Sequence, residues 1–497
     1  MELTVFSFLL YFLPVMLVVY FLLRSLKKVR NIWLILCGLV FYLMNGVAYA
    51  VLPIAIALLN HWMGYELSRA VAITSAENDE SDKVAIGKAK KVARVIVVIS
   101  IIINLAPLVA FSYLPKLLGQ SPLFFDFEQW PSFMVPFLLA VLALQGISYI
   151  VDIFREKAQY NSDIISTLVY FTFFPVAFAG PIIKYHEMAT QIEDREITFS
   201  KISSGICRLV VGLAKLCVIA TPLLAVATIV IEQSNLSGVY TNVPISLILL
   251  GLFTSLIGMY HFLSGFSDLS IGIGKILGFT FPENFRHPQL ATTMAAFWQR
   301  CFSSLTGWFD EYVYDSLSKK RSNNDRMVLH MLLMWILIGL WTGPSIPHII
   351  FGFWNFLFLL FEKVVEMKEK RNKTIFRNIY IFIVAIVSVI ALNTSSLYQF
   401  TLFISNLFGM KGYGFYSEFA LSLLIECWPI LLAGLITAFP IATKLRECAG
   451  NKTGFVGGAY TVFYTLAMIV LVVLVVLSLS GVSYDPTQIF STFFWRS

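Results

Sequence analysis

The residues of this sequence that could do chemistry are concentrated between His261 and Phe361. Small, polar and charged side chains alternate there with tryptophan and phenylalanine, whereas most flanking segments are plain apolar runs. An ionisable side chain is expensive to place at membrane depth, so His261 and Asp268 are candidate functional residues. The alternative for Asp268 is a structural role, in which its carboxylate caps the helix that follows and the nearby glycines allow close helix packing.

Two further segments of this stretch interrupt the apolar pattern. The segment from Ala291 to Tyr314 is too polar for a free-standing span, so we expect an amphipathic or partly re-entrant helix at the cytoplasmic interface. Its Arg300 could meet a phosphate of a donor entering from the cytoplasm, or could simply extend its charge to the interface. The segment GLWTGPSIPH contains Trp341 and Thr342 among glycines and prolines, which predicts a helix break that opens backbone groups toward a cavity.

The composition sets the class of protein. Of 497 residues, 58% are hydrophobic and only 13% are charged, whereas charged residues make up about a quarter of a soluble domain. Apolar runs of about 20 residues, enough to cross about 30 Å of hydrocarbon, recur along the chain. The sequence therefore predicts an all-α, polytopic membrane protein with roughly 11–13 transmembrane helices plus re-entrant or amphipathic helices, in a single membrane domain over residues 1–497. Full spans are expected near residues 4–23, 32–47, 49–68, 94–115, 133–154, 203–231, 244–263, 326–343, 346–366, 377–395, 416–440 and 456–480.

Basic loops predict the topology. The positive-inside rule places the loops after the first span and before the fourth in the cytoplasm, and the N-terminus outside. The later basic loops also fall inside if the segment from Asp163 to Ile183 is re-entrant, and its Pro175, Gly180 and Pro181 would break helical hydrogen bonding. The net charge of +7 thus reflects cytoplasmic loops, not nucleic-acid binding.

The cysteines and the first apolar run give further expectations. The six cysteines have no CxxC or similar spacing, which argues against a zinc site or a disulfide framework and favours packing roles. The run from Thr4 to Leu23 lacks a basic leader and a small-residue cleavage site, so we expect a spanning helix that is not removed.

Several motifs in one order give the sequence a family resemblance. They are SYIVDIFR, FFPVAFAGPIIKY, SGFSDLSIGIGKILGFTFPENF, FWQRCFSSLTGWFDEYVY, GLWTG and FGFWN. In this order they resemble the membrane-bound O-acyltransferase family, in the bacterial branch that includes alginate O-acetyltransferases and the D-alanyl transfer protein of teichoic acid synthesis. The resemblance runs from the N-terminus to about Glu362, and implies an acyltransferase-like core over about residues 100–366 with C-terminal transmembrane helices over 367–497.

This resemblance implies how the protein would work. A tunnel through a thin central region would bring a cytoplasmic acyl thioester to an acceptor hydroxyl from the other side, or to a partner that relays the acyl group. The donor would be acetyl-CoA or an acyl carrier protein thioester, with no bound cofactor or metal ion. The other partners would be membrane lipids, an extracytoplasmic acyl-relay protein, and a polysaccharide or envelope polymer. The candidate tunnel and substrate residues are Ser267, Asp268, Asn284, Trp298, Arg300, Trp308 and Trp341.

The sequence departs from the family at its chemical positions. Thr342 stands where the family's Gly-Leu-Trp-His-Gly motif has the histidine to which the general-base role is ascribed, and Phe302 stands where a second histidine is usual. Phe262 replaces a usual aspartate, and Leu216 replaces the second of two usual lysines. Threonine cannot replace imidazole as a base near neutral pH. General-base help is worth roughly 10²–10⁴-fold, so its loss would leave little turnover.

Three other histidines are within sequence reach of the lost base, namely His348, His261 and His287. Each is alternatively a hydrogen-bonded or interfacial histidine without a catalytic role. The sequence thus leaves three functions open in a multi-pass bacterial plasma membrane protein. The first is an O-acyltransferase for an exported polysaccharide or envelope polymer with weakened or rewired catalysis. The second is a catalytically silent relative that holds a partner, and the third is a membrane transporter.

Overall fold

The computed structural model describes residues 8–44, 47–75, 83–114, 134–177, 180–235, 243–318, 324–367, 375–394, 396–410, 414–450 and 454–481. Over these residues the protein is helical, and its one β feature is an isolated antiparallel bridge between Phe285 and Cys301. The all-α prediction is confirmed. The helices are α1 (Leu13–Leu22), α2 (Lys27–Leu43), α3 (Val47–Ser75), α4 (Lys83–Leu108), α5 (Met134–Phe154), α6 (Ile164–Thr172), α7 (Tyr185–Glu193), α8 (Phe199–Ala214), α9 (Thr221–Asn235), α10 (Ile245–Ile276), α11 (Met294–Trp298), α12 (Ser303–Phe309), α13 (Asp315–Ser318), α14 (Asn324–Thr342), α15 (Ile346–Val364), α16 (Ile375–Leu392), α17 (Leu397–Leu407), α18 (Glu418–Ala438), α19 (Ile441–Leu445) and α20 (Phe455–Gly481).

Apolar composition makes many of these helices membrane spans. Within the described residues, six helical segments are long and apolar enough to cross a bilayer, and five more apolar helices are shorter. This confirms the prediction of a polytopic membrane protein. The six long segments are Ala85–Tyr113, Phe199–Ile231, Ile245–Ile276, Ile346–Val364, Glu418–Ala438 and Phe455–Ser480.

The chain forms two compact units. The first comprises residues 1–203 and 273–282, and the second comprises residues 204–272 and 283–497. All of the predicted site residues belong to the second unit. The single membrane domain, and an acyltransferase-like core limited to about residues 100–366, stay predictions.

Side-chain caps fix where several helices begin. The carboxylate of Asp163 accepts a hydrogen bond from the backbone N–H of Ile165 at 3.0 Å and starts α6. The hydroxyl of Thr293 accepts one from the N–H of Ala296 at 3.1 Å and starts α11. Such caps satisfy N–H groups that have no partner inside the helix.

The predicted break near Pro175 is present. Helix α6 ends at Thr172, a single 3₁₀ turn covers Phe174–Val176, and the chain from residue 180 to 184 is not helical. Ile182 and Ile183 in that irregular segment are buried. The helix break is confirmed, and its re-entrant placement in the membrane stays a prediction.

The structure corrects the predicted end of the span near residue 263. SGFSD lies inside α10, which runs without a break to Ile276, so Asp268 does not cap a following helix. The small residues permit close packing here, because a Cβ on Gly212 of α8 would lie 2.8 Å from the carbonyl oxygen of Gly265. The interpretation of the glycines as packing residues fits this geometry.

A second correction concerns the helix predicted from Ala291 to Tyr314. The segment forms two short helices, α11 and α12, separated by residues 299–302. The backbone at this break is satisfied from outside, because the N–H of Arg286 donates to the carbonyl oxygen of Arg300 at 2.9 Å. The N–H of Ser303 likewise donates to the carbonyl oxygen of Asn284 at 3.0 Å. These bonds replace the helical hydrogen bonds that a continuous helix would make.

Helices α14 and α15 form a tightly packed hairpin around the predicted break in GLWTGPSIPH. The break is confirmed, since α14 ends at Thr342 and α15 begins at Ile346. A Cβ on Gly352 would overlap the carbonyl oxygen of Trp335, and a Cβ on Gly339 would overlap that of His348. Glycine at both positions therefore lets the two backbones touch.

Replacing Gly352 with alanine should lower the stability of the protein by about 1–3 kcal/mol, because the added methyl group forces the hairpin apart. Gly458→Ala is a matched control, because a Cβ there meets no atom within 4 Å. It should leave stability unchanged or raise it by up to about 1 kcal/mol. Thermal melting of both variants in detergent, followed by size-exclusion chromatography, measures the difference. Equal melting temperatures would contradict the close approach of α14 and α15.

Candidate functional site

Thr342 ends α14 and is 9% exposed. Its hydroxyl donates a hydrogen bond to the carbonyl oxygen of Gly339, one turn earlier, at 2.7 Å. The side chain thus satisfies a backbone group of its own helix. A threonine hydroxyl also takes up no proton near neutral pH, so Thr342 cannot serve as the base.

His348 lies on the first turn of α15 and is 3% exposed. Its Nδ1 is hydrogen bonded to the hydroxyl of Ser345, which is the N-cap residue of α15. Its ring lies against Gly343, where an added Cβ would be only 2.6 Å from Nε2. The imidazole therefore occupies the space beside the residue that follows Thr342. If Nδ1–H donates to Ser345, Nε2 is the basic nitrogen.

Phe302, where the resemblance places a second histidine, precedes α12 with a left-handed φ of 52°. Its ring centroid lies 6.0 Å from that of Trp341 and 6.0 Å from that of Phe285. Trp341 directly precedes Thr342, so the two replaced histidine positions lie in the same region of the second unit. Aromatic rings replace the polar groups that would orient an imidazole there.

Asn284 holds the start of α12. It is fully buried, and its Oδ1 accepts hydrogen bonds from the backbone N–H of Ser304 at 3.1 Å and from the Ser304 hydroxyl at 2.8 Å. Its Nδ2 has no acceptor among the described residues. One turn along α12, Trp308 is 2% exposed, and its Nε1 likewise lacks an acceptor there. Two buried N–H donors are therefore available near Phe302.

Trp298 packs on the other side of this segment. Its Nε1 donates to Oδ1 of Asn355 at 3.0 Å, and its ring lies 5.2 Å from that of Trp335 and 5.7 Å from that of Phe351. The buried carboxylate of Glu362 accepts hydrogen bonds from the first N–H groups of α11, including that of residue 295 at 3.1 Å. These contacts tie α11 to α15, which carries His348.

Arg300 and Cys301 lie between α11 and α12, and no described contact of either residue supports a catalytic role. The carbonyl oxygen of Arg300 accepts from the N–H of Arg286, and a phosphate contact of its guanidinium stays a prediction. Cys301 is partly buried, and desolvation raises the pKa of its thiol to about 12. The thiol is therefore protonated at neutral pH and is a poor nucleophile for acyl transfer.

Asp268, on α10, lies in an ion network with Arg208 of α8 and with Lys215, which directly follows α8. Nη2 of Arg208 lies 2.8 Å from Oδ1 of Asp268, and Nζ of Lys215 donates to Oδ2 at 2.6 Å. Lys215 also donates to the hydroxyl of Ser264 at 2.8 Å, and Arg208 is bidentate to Glu283. Two cations and two carboxylates thus neutralise one another. The predicted substrate role of Asp268 has no observed support, and a structural role accounts for its contacts.

The other two candidate histidines are held by backbone carbonyls of α18. His261 is fully buried, and its Nε2 bonds to the carbonyl oxygen of Gly434 at 2.9 Å. Nδ1 of His287 is hydrogen bonded to the carbonyl oxygen of Ala438 at 2.7 Å. Ser267 is 2% exposed, and its hydroxyl lacks a partner among the described residues. These contacts join α10 and the residue 287 loop to α18 and do not include Thr342.

Comparisons with known proteins identify the family. The sequence model of the membrane-bound O-acyltransferase family matches residues 117–405, which is more than half of the chain. The chain belongs to this family.

Individual relatives agree with the membrane-bound O-acyltransferase assignment. A probable alginate O-acetylase of Pseudomonas fluorescens is 27% identical over 362 residues, which cover 72% of this chain and 66% of the relative, slightly under two thirds of its length. A probable alginate O-acetylase of Pseudomonas putida is 26% identical over 505 residues, which cover 96% of this chain and 97% of the relative. A teichoic acid D-alanyltransferase of Bacillus subtilis is 25% identical over 271 residues, which cover 52% of this chain and 66% of the relative. The bacterial branch predicted from the motifs is confirmed, as is a multi-pass location in the cell membrane.

In this member of the membrane-bound O-acyltransferase family, every predicted site residue lies within the matched region. The structure brings Trp341, Thr342 and His348 together, with Phe302 against Trp341. Sequence reasoning missed Glu362, whose capping of α11 depends on a distant contact that leaves no local signal. It also missed Ser345, whose hydroxyl is hydrogen bonded to His348 and makes no side-chain cap of α15.

Proposed function

We propose that the protein transfers an acyl group, of acetyl or D-alanyl type, from a cytoplasmic thioester to hydroxyls of an exported polysaccharide or cell-envelope polymer. The acylation of alginate and teichoic acid in the names of its relatives supports this class of acceptor. The donor would be acetyl-CoA or an acyl carrier protein thioester. An extracytoplasmic protein could relay the acyl group to the polymer.

The observation that carries this proposal is the position of His348 beside Gly343. A buried imidazole, oriented through Nδ1 by Ser345, lies one residue from the position of the family histidine. In the proposed reaction, Nε2 of His348 accepts the proton of the acceptor hydroxyl while the hydroxyl oxygen attacks the thioester carbonyl carbon. The new ester bond forms, the carbon–sulfur bond breaks, and the imidazolium returns the proton to the leaving thiolate.

The surrounding groups would assist the transfer only in part. Nδ2 of Asn284 and Nε1 of Trp308, which have no acceptor among the described residues, are donors suited to the oxygen that becomes negative during the attack. Phe302 supplies no second imidazole. We therefore expect slower transfer than in relatives that keep both histidines.

The purified protein in phospholipid nanodiscs, supplied with radiolabelled acetyl-CoA and an acceptor polysaccharide, should show slow transfer that requires the acceptor. Thr342→His alone should leave the rate within about tenfold of wild type, because the rings of Phe302 and Trp341 give a new imidazole no polar partner to orient it. Histidine tolerates a left-handed backbone better than most residues, so Phe302→His should be accommodated.

The double variant Thr342→His with Phe302→His should raise the transfer rate by a factor larger than the product of the two single-variant factors, because the positions act as one unit. Family-level activity from Thr342→His alone would contradict the argument about the aromatic surroundings.

A second candidate function is that of a catalytically silent relative that holds a donor, an acceptor or a partner. The observation that favours it is the apolar contact of Phe302 with Phe285 and Trp341 at a position where the family has histidine. This candidate predicts no transfer from either type of donor, together with retained binding of the donor or of a partner protein.

A further inference from the structure

Arg30, in the first unit, is a buried guanidinium that forms no ion pair with a carboxylate among the residues that the structure describes. It lies in the first turn of α2 and is 4% exposed. Its Nε has no hydrogen-bond partner among the described residues, and its guanidinium carbon lies 5.7 Å from the ring centroid of Tyr20. A cation–π contact of this kind returns far less free energy than the desolvation of the charge costs.

Arg195 places a second buried guanidinium beside the first. It is 7% exposed and donates to the hydroxyl of Tyr20 at 2.9 Å, to the carbonyl oxygen of Ile192 at 3.1 Å and to Oδ1 of Asn31 at 2.8 Å. All three acceptors are neutral. Burial lowers the pKa of Arg195 from its ordinary value, and the charge of Arg30 acts in the same direction.

The nearby carboxylate does not neutralise this pair. Asp194 is 81% exposed and is paired with Lys27 at 2.9 Å. Among the residues that the structure describes, neither Arg30 nor Arg195 forms an ion pair. Two positive charges therefore remain in excess, and both are buried.

The helix dipole adds to this positive potential. Helix α2 begins KKVR and has no acidic residue in its first turn. The N-terminus of a helix favours negative charge and disfavours cations. The arrangement is therefore unfavourable in isolation and becomes favourable when an anion is bound.

We infer that Arg30 and Arg195 form a binding site for a phosphate group at the start of α2. Arg195 is held in place by neutral acceptors, and Nε of Arg30 has no hydrogen-bond partner among the described residues that a phosphate would have to displace. The planar fork of guanidinium donors matches phosphate oxygens. The positive-inside rule puts this end of α2 at the cytoplasmic surface, where the phosphate could come from an anionic lipid headgroup or from a free phosphate. This site is independent of the proposed acyl transfer.

Thermal melting of the full-length protein tests the site with two probes. One probe is phosphatidylglycerol added to phosphatidylcholine nanodiscs, and the other is inorganic phosphate against chloride at equal ionic strength. Phosphatidylglycerol, phosphate or both should raise the melting temperature of the wild type, and the probe that does so identifies the source. Arg30→Gln should need about tenfold or more of the probe to give the same rise in melting temperature, as expected for the loss of a hydrogen bond to a charged group.

Lys28→Gln is the matched control, because Lys28 is an exposed cation in the same turn. It should keep the response. Without either probe, Arg30→Gln should melt at or above the wild-type temperature, since it removes an unpaired buried charge. A lower temperature, equal responses of wild type and Arg30→Gln, or no response of the wild type would overturn the site. If Arg30→Gln fails to fold, Arg30→Lys and native mass spectrometry of phosphatidylglycerol retained by the wild type decide the question.

Discussion

Replacing His348 with glutamine is expected to reduce the rate of acyl transfer by roughly 10²–10⁴-fold. Glutamine keeps a polar side chain of similar length but cannot take up a proton near neutral pH. The hydrogen bond with Ser345 can still form, so the start of α15 should be preserved. The measurement is the rate of transfer of radiolabel from acetyl-CoA to the acceptor polymer, at saturating concentrations of both.

His287→Gln is the matched control, because His287 is bonded to the carbonyl oxygen of Ala438 and a glutamine amide can donate a similar bond. It should change the rate by less than about tenfold. Ser345→Ala removes the group that orients His348 and should lower the rate without abolishing it. If His348→Gln transfers as fast as the wild type, the proton leaves by another route and the rewired site is refuted.

The second large effect is expected from Asp268→Asn, which should destabilise the protein by about 3–5 kcal/mol. The Asp268 side chain is 12% exposed, and the cations that it bridges, Arg208 and Lys215, are 19% and 21% exposed. Removing the carboxylate charge leaves an excess positive charge at this largely desolvated site. Thermal melting in detergent measures the loss.

Two further variants separate charge from geometry. Lys215→Met added to Asp268→Asn restores neutrality and should recover part of the lost stability. Glu66→Gln removes the carboxylate of an exposed pair with Arg69, at 3.6 Å, and should cost less than about 1 kcal/mol. A loss from Asp268→Asn no larger than that from Glu66→Gln would show that the network does not depend on its charge.

Most of the helices could be predicted because a membrane span is a local property. The apolar run predicted at 346–366 is α15, Ile346–Val364, and the run predicted at 416–440 is α18, Glu418–Ala438. The error at α10 has a physical cause. The polar, glycine-rich SGFSD segment resembles a turn when read alone, but the helix continues because Arg208 and Lys215 satisfy Asp268 from positions 60 and 53 residues away.

The sequence indicates candidate residues for the site but not how they are arranged, and their roles stay predictions. The family resemblance singles out Thr342 and Phe302, and the sequence alone does not choose among His348, His261 and His287 as the replacement base. The structure distinguishes them, because the His348 ring lies against Gly343, the residue after Thr342, whereas His261 and His287 are bonded to carbonyl oxygens of α18. No periodicity in the sequence encodes such a contact across a helix break.

Helix α20 gives the C-terminal part of the protein an unusual relation to the bilayer. It has 27 residues, and only 6% of the apolar stretch that would cross the bilayer is buried. It lies beyond residue 405, where the match to the family ends. At 1.5 Å per residue it is about 40 Å long, which exceeds the roughly 30 Å of a typical hydrocarbon core. Such a mismatch is relieved by tilting or by local thickening of the bilayer. Because few neighbouring side chains restrain α20, lipid chain length rather than protein packing should set its tilt.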